Sequence, residues 1–532
     1  MGSITPGADV VAAARFLRKL PGFLRSPLSF DEAHAILRRR LERRHADFLE
    51  LVRGAIYAVE QNPYRQLLRL AGCEYGDLER LVQGEGLEGA LSRLFRHGVY
   101  LTVDEQKGRQ PAVRGSSVVH VDPRHLRNPW LTTHFEGATS GSRGPRTSVA
   151  IDLEFMRERA VNATLAWSPR GIHGWRNALW EIPGGGALSH VLRLAAMGIV
   201  PERWFSQVDP AAAGLHPRYR WSARALRLGS WLVGAPIPGP RYVPLDEPLP
   251  IVRWMASVLR DGHIPHLETF PTSAVRVCQR ALGAGVELRG AHFSLIGEPF
   301  TPARQAIIRS AGAEAVSRYG TVECPAIGWG CLAPAVPDDQ HHAHDFWPLI
   351  QPGPDGASRE LPANALLVST IRRYSPLILL NASVGDQADL VQHVCGCPLE
   401  RLGWPRHLSN VRSFEKLTAG GMTFFDAEII HVLEQVLPRR FGGGPTDYQL
   451  VEQEGPDGQP ALRLLVHPAV GPLEPGAVAE AFLSTLGAGS GVERVMVMQW
   501  RQARLLQVER RPPVATPGGK ILHLHQAPVS VP

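Results

Sequence analysis

The sequence predicts an α/β protein, built as a large domain with a helical N-terminal extension and followed by a small α+β domain. Three observations predict it. The first hundred residues read as helical, short β-branched or apolar runs separated by helical segments begin near Ser116, and a compact set of mixed elements follows residues 400 to 415. At 532 residues the chain is too long for one ordinary core, so the expected division is residues 1–110, 111–410 and 411–532.

In chain order, Ser29-Phe-Asp-Glu32 is a capping box, and Leu37, Leu41, Phe48 and Val52 fall on one face of the helix that follows. The runs SVVHV, HFSLIG and ALLVSTI read as strands of the large domain. Six prolines crowd into the fifteen residues from Pro236 to Pro250, which reads as a long surface connection. In the last segment a helix turns Ile429, Ile430, Leu433, Val436 and Leu437 inward. A hairpin at Pro456-Asp457-Gly458, a helix over 474–486 and an alternating strand VERVMVMQW complete the small domain.

Composition excludes several classes. Hydrophobic residues at 44% and charged residues at 20% fit a globular chain, and no run approaches the roughly 18 apolar residues of a membrane span. The N-terminus MGSITPGADVV lacks an apolar signal core, and Pro6 stands where a myristoylation signal wants Ser or Thr, so a cytoplasmic location without membrane attachment is expected. The net charge is +7, yet the arginines are scattered and never interleave with aromatics, so nucleic acid is not an expected partner. Only Lys19, Lys107, Lys416 and Lys520 are lysines, against 53 arginines. A lysine kept in such a chain gains weight as a compact point charge.

The stretch EGATSGSRGPRTS, Glu136 to Ser148, combines glycines, hydroxyls and arginines without apolar periodicity. Glycines let backbone N–H groups approach an anion and hydroxyls add donors, so it is either a phosphate cradle or a surface turn. It is not a Walker A loop, because no lysine follows Gly144. Four later segments join it in order: Gly297-Glu298-Pro299 after the run SLI, Ser317-Arg318-Tyr319-Gly320-Thr321-Val322-Glu323, Gly385-Asp386, and Gly518-Gly519-Lys520.

In these motifs and their order the chain resembles the adenylate-forming superfamily of acyl-CoA ligases and adenylation domains, and within it the phenylacetate-CoA ligase branch. The resemblance spans roughly residues 60–525. It implies a large domain that binds ATP and a carboxylic acid, a mobile small domain, and a reaction through an acyl-adenylate. Thr139, Ser140, Gly141, Ser142, Arg143 and Gly144 then match the phosphate-binding loop, and Glu323 the Mg²⁺ ligand. Tyr319 offers a face for adenine, Gly297, Glu298 and Pro299 line the other side, and Arg318, Gly320 and Thr321 complete that segment. Asp386 matches the carboxylate that accepts from the ribose hydroxyls, Arg412 the arginine after it, and Lys520 the catalytic lysine between acid and α-phosphate.

The chain also departs from the pattern. Val322 stands where Ser or Thr usually precedes the metal-binding glutamate, and the glycine-rich loop is one residue shorter than its commonest form. At the hinge the usual aspartate is Phe414 and a common lysine is Thr418, while the closing glycine is kept as Gly421. The change at Val322 leaves a phosphate contact to Thr321 or removes it, and the hinge changes bear on the second half-reaction more than on adenylation.

Six cysteines in a cytosolic chain argue against a disulfide framework, and the C-x-C of Cys395 and Cys397 points to metal. With Cys331 and His341 they make a closed structural Zn²⁺ set, and His342 and His344 are rival ligands for the fourth position. For the acid, the branch implies an aromatic substrate, and Trp180, Glu181, Gly185 and His190 fall where relatives line the acid pocket. Trp180 would stack on a ring, and Glu181 or His190 would pair with an amino or hydroxy substituent. The expected acceptor is CoA; the alternatives are an amine, an alcohol or a carrier-protein thiol, or a nucleotide-binding relative that has lost turnover. The helical N-terminal region either supports a homodimer or caps the large domain.

Overall fold

The computed structural model describes residues 6–131, 135–138, 148–181, 185–207, 209, 217–232, 234–358, 361–414, 426–454, 460–488, 497, 500–501, 506–515, 521 and 523–526. Two small antiparallel ladders come first. Strands β1 (Ala112–Arg114) and β2 (Ser117–Val119) form one, and β3 (Phe135–Ala138) and β4 (Ser148–Ile151) form the other, flanking the glycine-rich loop.

A twelve-stranded sheet follows. Its members are β5 (Trp175–Glu181), β6 (Arg203–Ser206), β7 (Arg241–Tyr242), β8 (Ile264–Thr269), β9 (His292–Ile296), β10 (Glu314–Tyr319), β11 (Gly328–Gly330), β12 (Gln340–His342), β13 (Leu349–Ile350), β14 (Ala365–Val368), β15 (Ala382–Gln392) and β16 (Arg406–Ser413). The order across the sheet is β13-β14-β15-β16-β12-β11-β10-β9-β8-β5-β6-β7. From β7 to β10 every pairing is parallel, and from β10 to β13 every pairing is antiparallel.

The parallel half is the βα alternation expected from the sequence, with helices supplying the crossovers. Its winding reverses between β5 and β8: the chain runs outward through β6 and β7, returns to β8 on the other side of β5, and then runs outward through β9 and β10. In a parallel sheet such a reversal opens a crevice beyond the carboxyl ends of the two strands, and ligands bind there. One face of the sheet is covered by the helices Leu153–Trp167 and Gly185–Ala196, the other by Leu249–Arg260, Pro271–Gly283 and Pro302–Ser310.

Several expectations change. The capping box at Ser29 is present, with Ser29 Oγ accepting from Glu32 N and Glu32 Oε2 accepting from Ser29 N, but the helix stops at Glu42 and a second runs Arg44–Val52. Arg43, at φ −92° and ψ 4°, makes the break, and both halves still bury Leu37, Phe48 and Val52. SVVHV contributes β2 to a two-stranded ribbon instead of the large sheet, leaving Val118 exposed. The proline-rich connection carries the edge strand β7 and buries Ile237 and Val243.

The N-terminal helices are keyed into the large sheet by buried arginines. Arg40 Nη1 donates to Asn162 Oδ1 at 3.0 Å and pairs with Asp345, which also accepts from Trp404 Nε1 at 3.0 Å. Arg44 Nε donates to His344 O at 2.8 Å, and Arg372 pairs with Asp47 at 3.0 Å.

The C-terminal elements build a four-stranded sheet with its own core. The strands are β17 (Tyr448–Glu454), β18 (Pro460–Val466), β19 (Leu506–Arg510) and β20 (Leu524–Gln526), in the order β19-β18-β17-β20. The expected hairpin is β17 and β18, and its turn residues lie outside the described set. Ile429, Leu433 and Leu437 pack on this sheet with the helix Pro475–Leu486. In VERVMVMQW the described residues Val497 and Trp500 are helical, not extended, and both are buried in this core. Three residues apart, they share a helical face that a strand would split.

Candidate functional site

Tyr319 ends β10 and Asp386 lies in β15, and the structure brings them together: the Tyr319 hydroxyl donates to Asp386 Oδ2 at 2.9 Å. Burial and the Asp386 carboxylate push the Tyr319 phenol well above its ordinary pKa, so it remains a donor. Asp386 stands opposite Ser413 across the ladder, one position from the pair Gln387 and Arg412. Gly385 turns the strand there with φ 76°, a left-handed conformation that glycine adopts without strain. Arg412 Nη1 donates to Asp338 Oδ2 at 3.3 Å and to Val411 O at 2.6 Å.

After Tyr319 the backbone doubles back tightly. A Cβ at Gly320 would press on the Ala326 amide nitrogen and sit 3.1 Å from Cys324 O, so only glycine fits. Thr321 Oγ1 accepts from Cys324 N at 2.9 Å, so its hydroxyl fixes the turn. Val322 is exposed and Glu323 half-buried, and the Glu323 carboxylate accepts no hydrogen bond among the described residues. That leaves its oxygens open to a hard cation.

Gly297 enters the next loop at φ 75°. The side chain of Glu298, expected to line an adenine pocket, instead turns inward: Oε2 accepts from Thr272 N at 3.0 Å, Oε1 from Thr272 Oγ1 at 2.9 Å, and Arg304 Nη1 lies 3.2 Å away. Arg304 Nη1 also donates to Pro299 O at 2.7 Å, so this loop is buttressed from behind. The same arginine reaches the C-terminal elements, with Nε 2.8 Å from Glu434 Oε1 and Nη2 3.0 Å from His523 Nε2. His523 Nε2 is 2.6 Å from Glu434 Oε1, and Thr301 Oγ1 donates to Glu434 Oε2. This buried latch joins the two sheets and was not foreseen from the sequence. Its one sequence signal is a glutamate inside the apolar helix IIHVLEQVL.

At the crevice between β5 and β8 lies a second buried cluster. Glu181 ends β5 and faces His190 Nδ1 at 2.8 and 2.9 Å, and Glu268 of β8 lies 3.3 Å from the same nitrogen. Arg193 pairs with Glu268, and Arg318 Nη2 donates to Glu268 Oε1 at 2.5 Å. The two arginines hold the Glu268 carboxylate far below its usual range despite its burial. Arg318 is therefore corrected from the nucleotide segment to this cluster, because successive strand residues face opposite sides and Tyr319 faces the other way. Trp180 is also corrected: it is wholly buried, donates from Nε1 to Val243 O at 3.0 Å, and packs in the core instead of presenting a ring face to a substrate. Gly185 begins the helix that carries His190 and Arg193.

No family model matches the chain, and no curated protein matches it. Solved structures do. The structure of 2-hydroxyisobutyryl-CoA ligase in the postadenylation state with 2-HIB-AMP is 16% identical over 94% of this chain and 91% of its own, with a TM-score of 0.51. The fold is that of the adenylate-forming ligases. The same ligase with 2-HIB-AMP and CoA in the thioesterification state gives 16% identity, 91% and 90% coverage and a TM-score of 0.44. The o-succinylbenzoate coenzyme A synthetase of Bacillus subtilis with ATP and magnesium gives 12% identity, 74% and 69% coverage and a TM-score of 0.41.

Within this adenylate-forming fold, Thr139, Ser140, Gly141, Ser142, Arg143 and Gly144 lie outside the described residues, as do Lys520, Thr418 and Gly421. Phe414, expected at a hinge, is buried in the core that the N-terminal helices share with β13 and β14, and donates from its backbone N to Gly385 O at 3.1 Å. No described helix is long and apolar enough to cross a membrane.

The four cysteine and histidine residues singled out for metal converge. The ligand atoms of Cys331, His341, Cys395 and Cys397 all lie within 4.8 Å of one another. His341 Nε2 is 3.0 Å from Cys397 Sγ and 3.6 Å from Cys395 Sγ. A zinc tetrahedron with bonds of about 2.3 Å to sulfur and about 2.0 Å to nitrogen has edges of roughly 3.5–3.8 Å, so the set needs only small adjustments. His341 Nδ1 lies 2.6 Å from Trp404 O, which fixes the tautomer that presents Nε2 to a metal. Burial holds the Cys331 and Cys395 thiols above their ordinary range, and the bonds from Ala333 N to Cys331 Sγ at 3.3 Å and Cys397 N to Cys395 Sγ at 3.4 Å oppose that shift. His342, a rival for the fourth position, points elsewhere, with Nε2 2.7 Å from Trp347 O.

Proposed function

We propose that the chain activates a carboxylic acid with ATP, forming an acyl-adenylate and releasing pyrophosphate, and passes the acyl group to CoA. The observation that carries this reading is the Tyr319 to Asp386 hydrogen bond, set beside a Glu323 carboxylate that no described residue engages. In it, Tyr319 stacks on adenine while its hydroxyl holds Asp386 in place to accept from the ribose. The turn at Gly320 and Thr321 fixes the distance from that ring to Glu323. Mg²⁺ held by Glu323 would offset triphosphate charge as the acid carboxylate approaches. The loop Thr139 to Gly144 supplies donors to the departing pyrophosphate, and Lys520 bridges the acid and the α-phosphate in the transition state.

In this reading residues 1–110 pack on a large domain of 111–410, and 411–532 form the lid. The phenylacetate-CoA ligase branch and an aryl acid are its finer form. Cys331, His341, Cys395 and Cys397 hold a structural Zn²⁺ away from the chemistry, since a closed four-ligand set leaves no position for substrate. Metal analysis of the purified protein should return one zinc per chain, and the Cys395→Ser variant should lose it.

Phe414 favours a second reading for the acceptor. Rotation of the lid about this position must contend with a side chain buried in the core shared by the N-terminal helices and the large sheet, so an amine, alcohol or carrier-protein thiol is the alternative to CoA. The test is pyrophosphate release with ATP, Mg²⁺ and a panel of acids, with and without CoA, followed by product masses. Lys520→Ala should lower adenylation by orders of magnitude with nearly unchanged ATP affinity, because a transition-state contact governs rate more than ground-state binding. Normal turnover by that variant sinks the assignment, and an acyl-adenylate that ignores CoA selects the second reading.

A further inference from the structure

Seven arginines are buried among the described residues, and six of them are ion-paired with a carboxylate: Arg40, Arg44, Arg193, Arg304, Arg318 and Arg372. Arg159 is not. It lies in the helix Leu153–Trp167, is 4% exposed, and donates from Nη1 to Ser189 Oγ at 2.7 Å. Its Nε has no hydrogen-bond partner among the described residues. Burial first, then the neighbouring charges of Arg318 and Arg193, pulls its pKa down to about 9.

Arg159 belongs electrostatically to the cluster at the β5–β8 crevice. Among the described residues, the arginines 159, 193 and 318 share there the carboxylates of Glu181 and Glu268, and His190 bridges those two carboxylates. Counted over the described residues, the cluster holds at least one surplus positive charge whether His190 is neutral or protonated. A buried ion without a counter-ion is costly, and the usual remedy is a bound group of opposite charge. The crevice is where this sheet topology binds ligands, and Arg318 directly precedes Tyr319.

We infer that Arg159, with Arg193 and Arg318, receives a carboxylate of the substrate other than the one that reacts, so that the acid taken is a dicarboxylic acid. This rests on the adenylating reading of the same site. The reacting carboxylate is a poor occupant, because it loses its charge on becoming a mixed anhydride and a buried cationic receptor would favour the ground state over the transition state. A second carboxylate keeps its charge throughout.

The experiment compares matched acids on the full-length protein: glutarate against butyrate, and isophthalate and terephthalate against benzoate. Pyrophosphate release is followed for kcat/KM, and calorimetry measures binding of each acid without ATP. At least one dicarboxylate should exceed its monocarboxylate partner by tenfold or more in kcat/KM, and Arg159→Met should reduce that ratio to near one. Arg159→Lys should restore part of it, separating a charge effect from misfolding. Equal turnover of the matched acids leaves adenylation standing and overturns the inference. Arg159-dependent binding of a dicarboxylate without pyrophosphate release from any acid keeps the receptor and removes the adenylating reading. If Arg159→Met weakens ATP binding while the acid ratio is unmoved, the anion is a nucleotide phosphate and the inference falls.

Discussion

Two buried ionic clusters flank the sheet, and they differ in one respect. In the latch, Arg304 meets Glu298 and Glu434, and His523 sits against Glu434, so each charge has an opposite neighbour. At the β5–β8 crevice the described arginines outnumber the described carboxylates. The first arrangement is complete as protein alone and fastens one element to another. The second is complete only with something bound, which is how a site differs from a brace even where both are buried guanidinium and carboxylate.

That contrast can be broken in graded ways. Arg304→Met removes the arginine that two buried carboxylates share and should cost about 3–5 kcal/mol of stability, read by denaturant unfolding. Acid should follow next. The Glu434 carboxyl is held down to about 2, chiefly by Arg304 and then His523, against its burial. A depressed carboxyl stabilises the fold above its ordinary pKa and loses that contribution as pH falls toward the folded value. The latch should therefore weaken between about pH 4.5 and 2, by roughly 3 kcal/mol in all, and Glu434→Gln should flatten that limb of a stability–pH curve. His523, also lowered by burial, adds a loss of the same sign below its ordinary value near 6.5. The smallest effect belongs to Arg159→Met: without ligand it should be within about 1 kcal/mol of wild type or more stable, since it removes a buried charge that no described carboxylate pairs with. Destabilisation equal to that of Arg304→Met would erase the distinction between the clusters.

The sequence carried some of this openly and some not at all. The Ser29 capping box, the β17–β18 hairpin and the helix over 475–486 are local patterns, and each is in place. Cys331, His341, Cys395 and Cys397 were readable because few residue types bind zinc and two of them are adjacent in a C-x-C. The antiparallel half of the large sheet was not readable, because buried strands of either sense have the same apolar composition. Glu268, Arg193 and Arg159 were missed for a related reason: they come from separate elements, 34 to 109 residues apart, and only the topology of β5 and β8 collects them. Their local signal is a charge in an otherwise apolar run, as in HLETF.

The arginine keys of the N-terminal helices have a consequence for how the chain is made. Arg44 waits for His344, 300 residues downstream, and Asp47 waits for Arg372, 325 residues downstream. At about 5–20 residues per second, a ribosome takes roughly 15–65 seconds to deliver those partners. Through that interval Phe48 and Val52 can meet only the helical part of their core, and Leu37 the helix Leu153–Trp167. These helices are therefore joined to the sheet long after their own turns can form, which leaves a window in which a chaperone could shelter the faces that meet it.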